Sequence, residues 1–313
     1  MLRHIGQCLV QLAVAMVGIV TVAFFLVRAI PGDPALYMLG DFATAESLAT
    51  LRARLGLDLP VWEQYFIFLG RALHGDLGAS VVTGQPALAE ILAGVPSSAS
   101  LAITGIGIAI LIGVPLGIIA AVRQGSWADA AVMVAALGGI SFPVFWVGLV
   151  AILLLSHQVP LFPTLGASSD PGFWTGLHHL ALPAIVLGVS VAAYIARLTR
   201  SAMLEVLGQD FIRVARAMGV PERRIVWRLA LRNAVIPILA VIGVTFAWSL
   251  GNAILVEVVF SRPGLGSTIL KAILARDYQL VQAGVLVLAA AVVLVNVALD
   301  LLYGVIDPRL RAA

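Results

Sequence analysis

Thr245, Ser249, Asn252 and Glu257 lie within or at the end of one apolar run, near 236–257. Thr245 precedes Ser249 by four residues and Asn252 follows it by three, so on a helix they share a face. Ser141 and Trp146 flank Pro143 in another apolar run. Polar groups are costly to hold in lipid, which makes these residues candidates for lining a solute pathway. The same groups also glue helices together, and residue type alone does not separate the two uses. Asn296 and Asp300, four apart near the C-terminus, read as structural.

Other chemistries find little support. No G-x-S-x-G occurs, no serine is paired with a histidine in a recognisable motif, and the carboxylates lie mostly in loops, so an intramembrane enzyme is disfavoured. Of the five histidines only His178 and His179 are adjacent. No H-E-x-x-H or Cys/His cluster exists, so no metal site is expected and the pair reads as polar loop. Lys271, in "STILKAI", is the sole lysine and lacks the glycines of a phosphate loop. The chain therefore has no standard ATP-binding motif, and no cofactor is expected in it.

A second unusual pattern is "FIRVARAMGVPERRIVWRLALRNAVIP", Phe211 to Pro237, with six arginines in a chain that is 61% hydrophobic. On a helix, Phe211, Val214, Ala215 and Met218 fall at i, i+3, i+4 and i+7, one apolar face. Arg213 and Arg216 lie away from it, and Asp210 suits the helix start. Gly219 suits a left-handed terminus, and Pro221 with Glu222 suits the first turn of a second helix. There Arg224, Arg228 and Arg232 form a basic stripe beside Ile225, Val226 and Leu229. An amphipathic helix of this kind can enter a partner's groove or lie on a lipid surface, and amphipathicity leaves both open. A DNA-reading helix-turn-helix is disfavoured because apolar spans flank the segment closely, so no nucleic-acid partner is expected.

The elements that must hold these residues are membrane spans. Charged residues make up 11% of the chain, against about 25% in soluble domains. Mean hydropathy is +1.06. Apolar stretches of the length that crosses a bilayer lie near 8–30, 98–122, 129–156, 181–200, 236–257 and 281–305. The first is longer than a signal-peptide core and reads as a retained span. Gly105, Gly113 and Gly117 would let helices approach closely. Cys8 is the lone cysteine, so no internal disulfide forms. Placing the N-terminus inside puts Arg3, Arg123, the arginines of 197–232, Arg309 and Arg311 on the cytoplasmic side, twelve of nineteen basic residues. Both termini are then cytoplasmic. Residues 31–97 become an extracytoplasmic segment, with 157–180 and 258–280 as further outside loops.

Phe211–Pro237 also resembles the EAA loop of bacterial ABC-importer permeases, which reads E-A-A, three residues, G, nine residues, then I-x-L-P. Gly219 matches the glycine, Ala215 the third position, and Leu229 and Leu231 the later apolar positions. Arg213, Val214 and Arg232 depart from it. "ARAMG", "ALRNAVIP", "RAIPGDP", "LGLDLPVWEQY", "GDLGAS", "ISFPVFWVG" and "VFSRPGLG" followed by "RDY" are similar to the dipeptide, oligopeptide and nickel permease family, in order along nearly the whole chain. The resemblance implies an all-α polytopic membrane protein of the bacterial inner membrane. Its parts are a first span within 1–30, an extracytoplasmic cap at 31–97, and a five-span core at 98–313 with a coupling loop at 201–235. It implies that Phe211, Arg213, Val214, Ala215, Arg216, Met218, Gly219, Pro221 and Glu222 meet a partner ATPase. It further implies two ATPase subunits or domains holding ATP and magnesium, a second homologous permease, an extracytoplasmic substrate-binding protein, and contact with membrane lipids. The alternative, a self-sufficient ion-coupled secondary transporter, would show internal repeats and midplane charges, and neither stands out.

Overall fold

A computed structural model describes residues 14–25, 28, 34–39, 43–168, 170 and 172–306. The chain divides into two compact units, Met1–Pro96 with Pro263–Leu294, and Ser97–Arg262 with Val295–Ala313.

In the first unit, α1 (Val14–Phe25) is apolar. The rest of the expected 8–30 span, apart from Arg28, lies outside the described residues, as do Asp33 and Asp41. Short helices follow: α2 (Pro34–Leu39), α3 (Ala45–Leu55) and α4 (Val61–Leu73). Thr44 and Ser47 form a reciprocal capping box at the start of α3. The next helix, α5 (Ala87–Val122), begins in this unit, which also contains α12 (Leu265–Leu274) and the start of α13 (Tyr278–Ile306). Ile91, Leu265, Ile269, Val281 and Leu286 build the core. Asp277 sits just before α13 and caps it, accepting the Leu280 N–H at 3.1 Å. Its other oxygen accepts the Ser80 hydroxyl at 2.5 Å and the Val81 N–H at 2.9 Å, which pins the 80–82 loop.

The second unit holds the remainder of α5, then α6 (Trp127–Ser141), α7 (Val144–Ile152), α8 (Phe173–Leu207), α9 (Asp210–Ala217), the single turn α10 (Glu222–Arg224) and α11 (Leu231–Val259). Wider π turns at Leu153–Gln158 and Ile225–Ala230 extend α7 and join α10 to α11. Between α6 and α7 the chain bends by 98°. Proline drives its preceding residue out of helical dihedrals, and Phe142 is extended there, at φ −88°, ψ 131°. Pro183 and Pro237, by contrast, sit inside α8 and α11.

α8 packs against both α6 and α11. It also meets α5 at glycines. A methyl on Gly113 would come within 2.8 Å of the Ala192 carbonyl, and one on Gly117 within 2.5 Å of Ala196. Backbone cannot yield as a side chain can, so the α5–α8 approach depends on these residues being glycine. Asp129 and Arg200 tie α6 to α8 through two parallel contacts of 2.6 and 2.7 Å.

Among the described residues four helices are long and apolar enough to cross a membrane, and the bent α6–α7 pair makes a fifth. The helices overrun the expected spans. α5 starts at Ala87, ahead of the expected 98–122 span, and the helix of the fifth span starts at Glu222, ahead of 236. Composition marks the lipid-embedded part of each helix, whereas backbone hydrogen bonding carries the helix past it. Asn296 is exposed, and the side chain of Asp300 lies outside the described residues.

Candidate functional site

The loop between α8 and α11 folds back on itself. Asp210 opens α9 and Gly219 closes it at φ +77°, a conformation that side chains with a Cβ resist. The Val220 N–H reaches the Ala215 carbonyl at 3.1 Å and the Gly219 N–H reaches Arg216 at 3.0 Å, the paired closure of a Schellman end. Pro221 then precedes the turn Glu222–Arg224. The Arg216 guanidinium donates to Glu222 at 2.7 Å across the turn, and Arg213 pairs with Asp210.

The structure corrects the expected apolar face of α9. Ile212 and Ala215 are buried, and the helix packs on Ile225–Ala230. Phe211, Val214 and Met218 point outward, Val214 at 55% and Met218 at 72% exposure. Ile212 takes the interior, and Ala215, one turn on, follows it. Two apolar stripes therefore share one short helix, where the i, i+3, i+4, i+7 count merged them.

A second feature lies at the α6–α7 bend. A cleft of about 280 Å³ is lined by Gly139, Ile140, Phe142, Pro143 and Val144 from the bend. Ser190, Val191 and Tyr194 of α8 and Thr245, Trp248 and Asn252 of α11 complete it. Of the six residues proposed from sequence, the structure brings only Thr245 and Asn252 together here. Ser141 is exposed and its hydroxyl donates to Leu137 at 2.7 Å. Trp146 stacks on Phe142 at 4.7 Å between ring centroids. Ser249 is buried and donates to Phe246 at 2.7 Å, one turn back. Thr245 likewise donates to Val241 at 2.8 Å.

Glu257 lies apart from the cleft. It is buried and accepts the Ser98 hydroxyl. Arg262 lies just beyond α11, after Ser261 in a left-handed conformation at φ +49°. Its guanidinium donates to the Gly166 carbonyl and, at 3.0 Å, to Ser100. Burial pulls the Arg262 guanidinium below its usual value, and Glu257 opposes that shift. This end of α11 is thus held by ionic and hydroxyl contacts. His178 and His179 each donate a ring N–H to a loop carbonyl, Leu161 at 3.0 Å and Leu165 at 2.7 Å.

Sequence reading missed the cleft's aromatic wall, Tyr194 and Trp248, whose rings lie 6.1 Å apart. They are 54 residues apart in the chain, and nothing local links them. It also missed Asp129 as the partner of Arg200. The available hint was Ser126 three residues before Asp129, a capping pattern that gives no sign of a contact to α8.

Comparison with known proteins places this architecture. Residues 113–312 match the family described as binding-protein-dependent transport system inner membrane component, and residues 1–102 match its N-terminal membrane component. The dipeptide transport system permease protein DppB of Escherichia coli K12 is 40% identical over 336 aligned residues, covering 99% of each chain. The di/tripeptide permease DppB of Pseudomonas aeruginosa is also 40% identical, with 99% of each chain covered. The glutathione permease GsiC of Escherichia coli K12 is 37% identical, again with 99% of each covered. An inward-facing structure of the MetNI methionine ABC transporter shares the fold. It matches with a TM-score of 0.54 at 20% identity, over 69% of this chain and 96% of that one. The chain belongs to the inner-membrane components of binding-protein-dependent transport systems, a multi-pass permease subunit of an ABC importer rather than a self-sufficient secondary transporter.

Proposed function

We propose that this permease imports small peptides or related solutes and that α9 is the helix through which ATP-driven motion enters it. Two ATPase subunits or domains bind ATP and magnesium, and a second homologous permease completes the pore. A substrate-binding protein delivers solute from outside, and both termini face the cytoplasm. Residues 31–97 form the outside segment and 98–313 the five-span core. The peptide class is supported by the dipeptide, di/tripeptide and glutathione permeases the chain is similar to.

One observation carries the coupling role. α9 is locked to its own unit on one side by Ile212 and Ala215, and it offers Phe211, Val214 and Met218 outward on the other. A partner groove closing on that face would move α9, and with it α8, which ends just before it, and α11, which it reaches through α10 and the π turn it packs on. Only contacts that differ between outward- and inward-facing states bias that equilibrium. The cleft at the α6–α7 bend is the part of the pathway contributed by this chain, with Asn252 as the polar contact.

Reconstitution tests the reading. Peptide uptake into vesicles should require the complete complex, ATP and the binding protein. Uptake by this chain alone, driven by an ion gradient, would refute it.

A further inference from the structure

A groove of about 410 Å³ lies beside the α9 loop, between the end of α5 and the turn that begins α10. Ile118, Ile119, Val122, Val226 and Trp227 form its apolar walls, and Arg123 and Arg223 stand at its margin. Trp227 is 55% exposed, and Trp127, four residues beyond Arg123, is almost fully so. Among the described residues neither guanidinium has an acidic partner. Glu222, the one carboxylate in the lining, is engaged by Arg216 at 2.7 and 3.4 Å, and Asp129 is engaged by Arg200.

We propose that this groove binds an anionic membrane phospholipid, its acyl chain along Ile118, Ile119, Val122 and Trp227 and its phosphate between Arg123 and Arg223. Three features select this occupant. The walls are hydrocarbon, which suits a chain and offers a soluble anion nothing to bury. Arg123 directly follows the membrane-spanning α5 and Arg223 of α10 lines the same groove, the position at which basic pockets hold lipid head groups. Tryptophan beside them marks the depth of the interface, since indole rings prefer that level. Two arginines each add attraction for an anionic head group, and a zwitterionic lipid gains little from them. Glu222 lines the groove and also pairs with Arg216 of α9, so the lipid touches the α9 loop through one residue.

The test uses the full chain in nanodiscs, with Trp227 as the only tryptophan and phenylalanine at the other five positions. Its fluorescence is titrated with brominated phosphatidylglycerol or with brominated phosphatidylcholine. Half-quenching should need a roughly tenfold lower mole fraction of the anionic lipid. R123Q/R223Q should abolish that preference and R123K/R223K should keep it. Equal quenching by the two lipids in the unaltered chain overturns the proposal, whatever the variants do. So does a preference that survives R123Q/R223Q. Protection of Trp227 from both lipids when the partner ATPases are added also overturns it, because the groove then belongs to a protein contact.

Discussion

α9 and the cleft at the α6–α7 bend are two places where this permease has capacity left over, and they differ in kind. On α9 every local demand is met. Its C-terminal end is closed at Gly219, its inward residues are buried and its arginines are paired, yet Phe211, Val214 and Met218 remain uncovered. In the cleft the position is reversed. Its walls are packed helices, and two of the hydroxyls first suspected in α11 donate to carbonyls one turn back. Asn252 is the exception: it lines the cleft, and among the described residues its amide has no hydrogen-bond partner. Under the proposed function, what a residue leaves uncovered or unbonded, and not its polarity, marks where a partner or solute acts. Thr245 and Ser249 satisfy themselves on carbonyls one turn back, as Asn233 of the same helix also does, and Asn252 does not.

The sharpest way to break this contrast is to put charge on the outward stripe of α9. V214D/M218D leaves Ile212 and Ala215 in their seats, so the chain should still reach the membrane and keep its thermal transition. Transport by the assembled complex should fall at least about tenfold, the scale of losing a buried apolar anchor at an interface. Normal uptake by this variant would end the case for α9. A bulky residue at Ala215 is a poorer probe, because that side chain is buried and the variant would disturb the fold as well.

A smaller effect separates the cleft's polar residues from one another. N252A should lower transport by about three- to tenfold, consistent with one lost hydrogen bond of roughly 1 kcal/mol. T245V is close in shape and removes a hydroxyl that serves its own helix, so uptake should stay within about twofold of the parent. Equal losses in the two variants would mean that the cleft is sensitive to packing and that Asn252 has no special part.

Much of this arrangement was legible in the sequence. Among the described residues apolar run length identified five of the six expected spans, Gly219 and Pro221 the punctuation around α9, and Gly113 and Gly117 the close helix approach, because each depends on local chemistry or on composition. What failed to show were facts of tertiary pairing. The choice between Ile212 and Val214 for the buried side of α9 depends on Ile225–Ala230, a segment that follows it in the chain. Asp129 with Arg200, and Tyr194 with Trp248, meet across long separations. Thr245 and Ser249 were suspected because sequence reports that a hydroxyl is present and says nothing of the carbonyl that accepts from it.

The comparison also extends to charge that faces water with no burial to strengthen it. Arg71 and Asp76, in the first unit, make a contact of 2.9 Å with both side chains more than half exposed. The Asp76 carboxyl lies below its usual value, first because Arg71 donates to it and then because the Gly78 N–H does. A carboxylate with a depressed folded-state pKa contributes stability above its unfolded value and loses it as pH falls through the folded one. D76N keeps an oxygen for Gly78 and removes the charge together with the acceptor that faces Arg71. The cost at pH 7 should be about 0.5 kcal/mol or less, given the screening of exposed pairs, and should begin to fade below about pH 4 and vanish once pH is below the depressed folded-state value. Unfolding of the detergent-solubilised chain at the two pH values measures it. A penalty of several kcal/mol, or one that persists in acid, would mean that this loop is held by its ion pair and not by the turn that Gly78 closes.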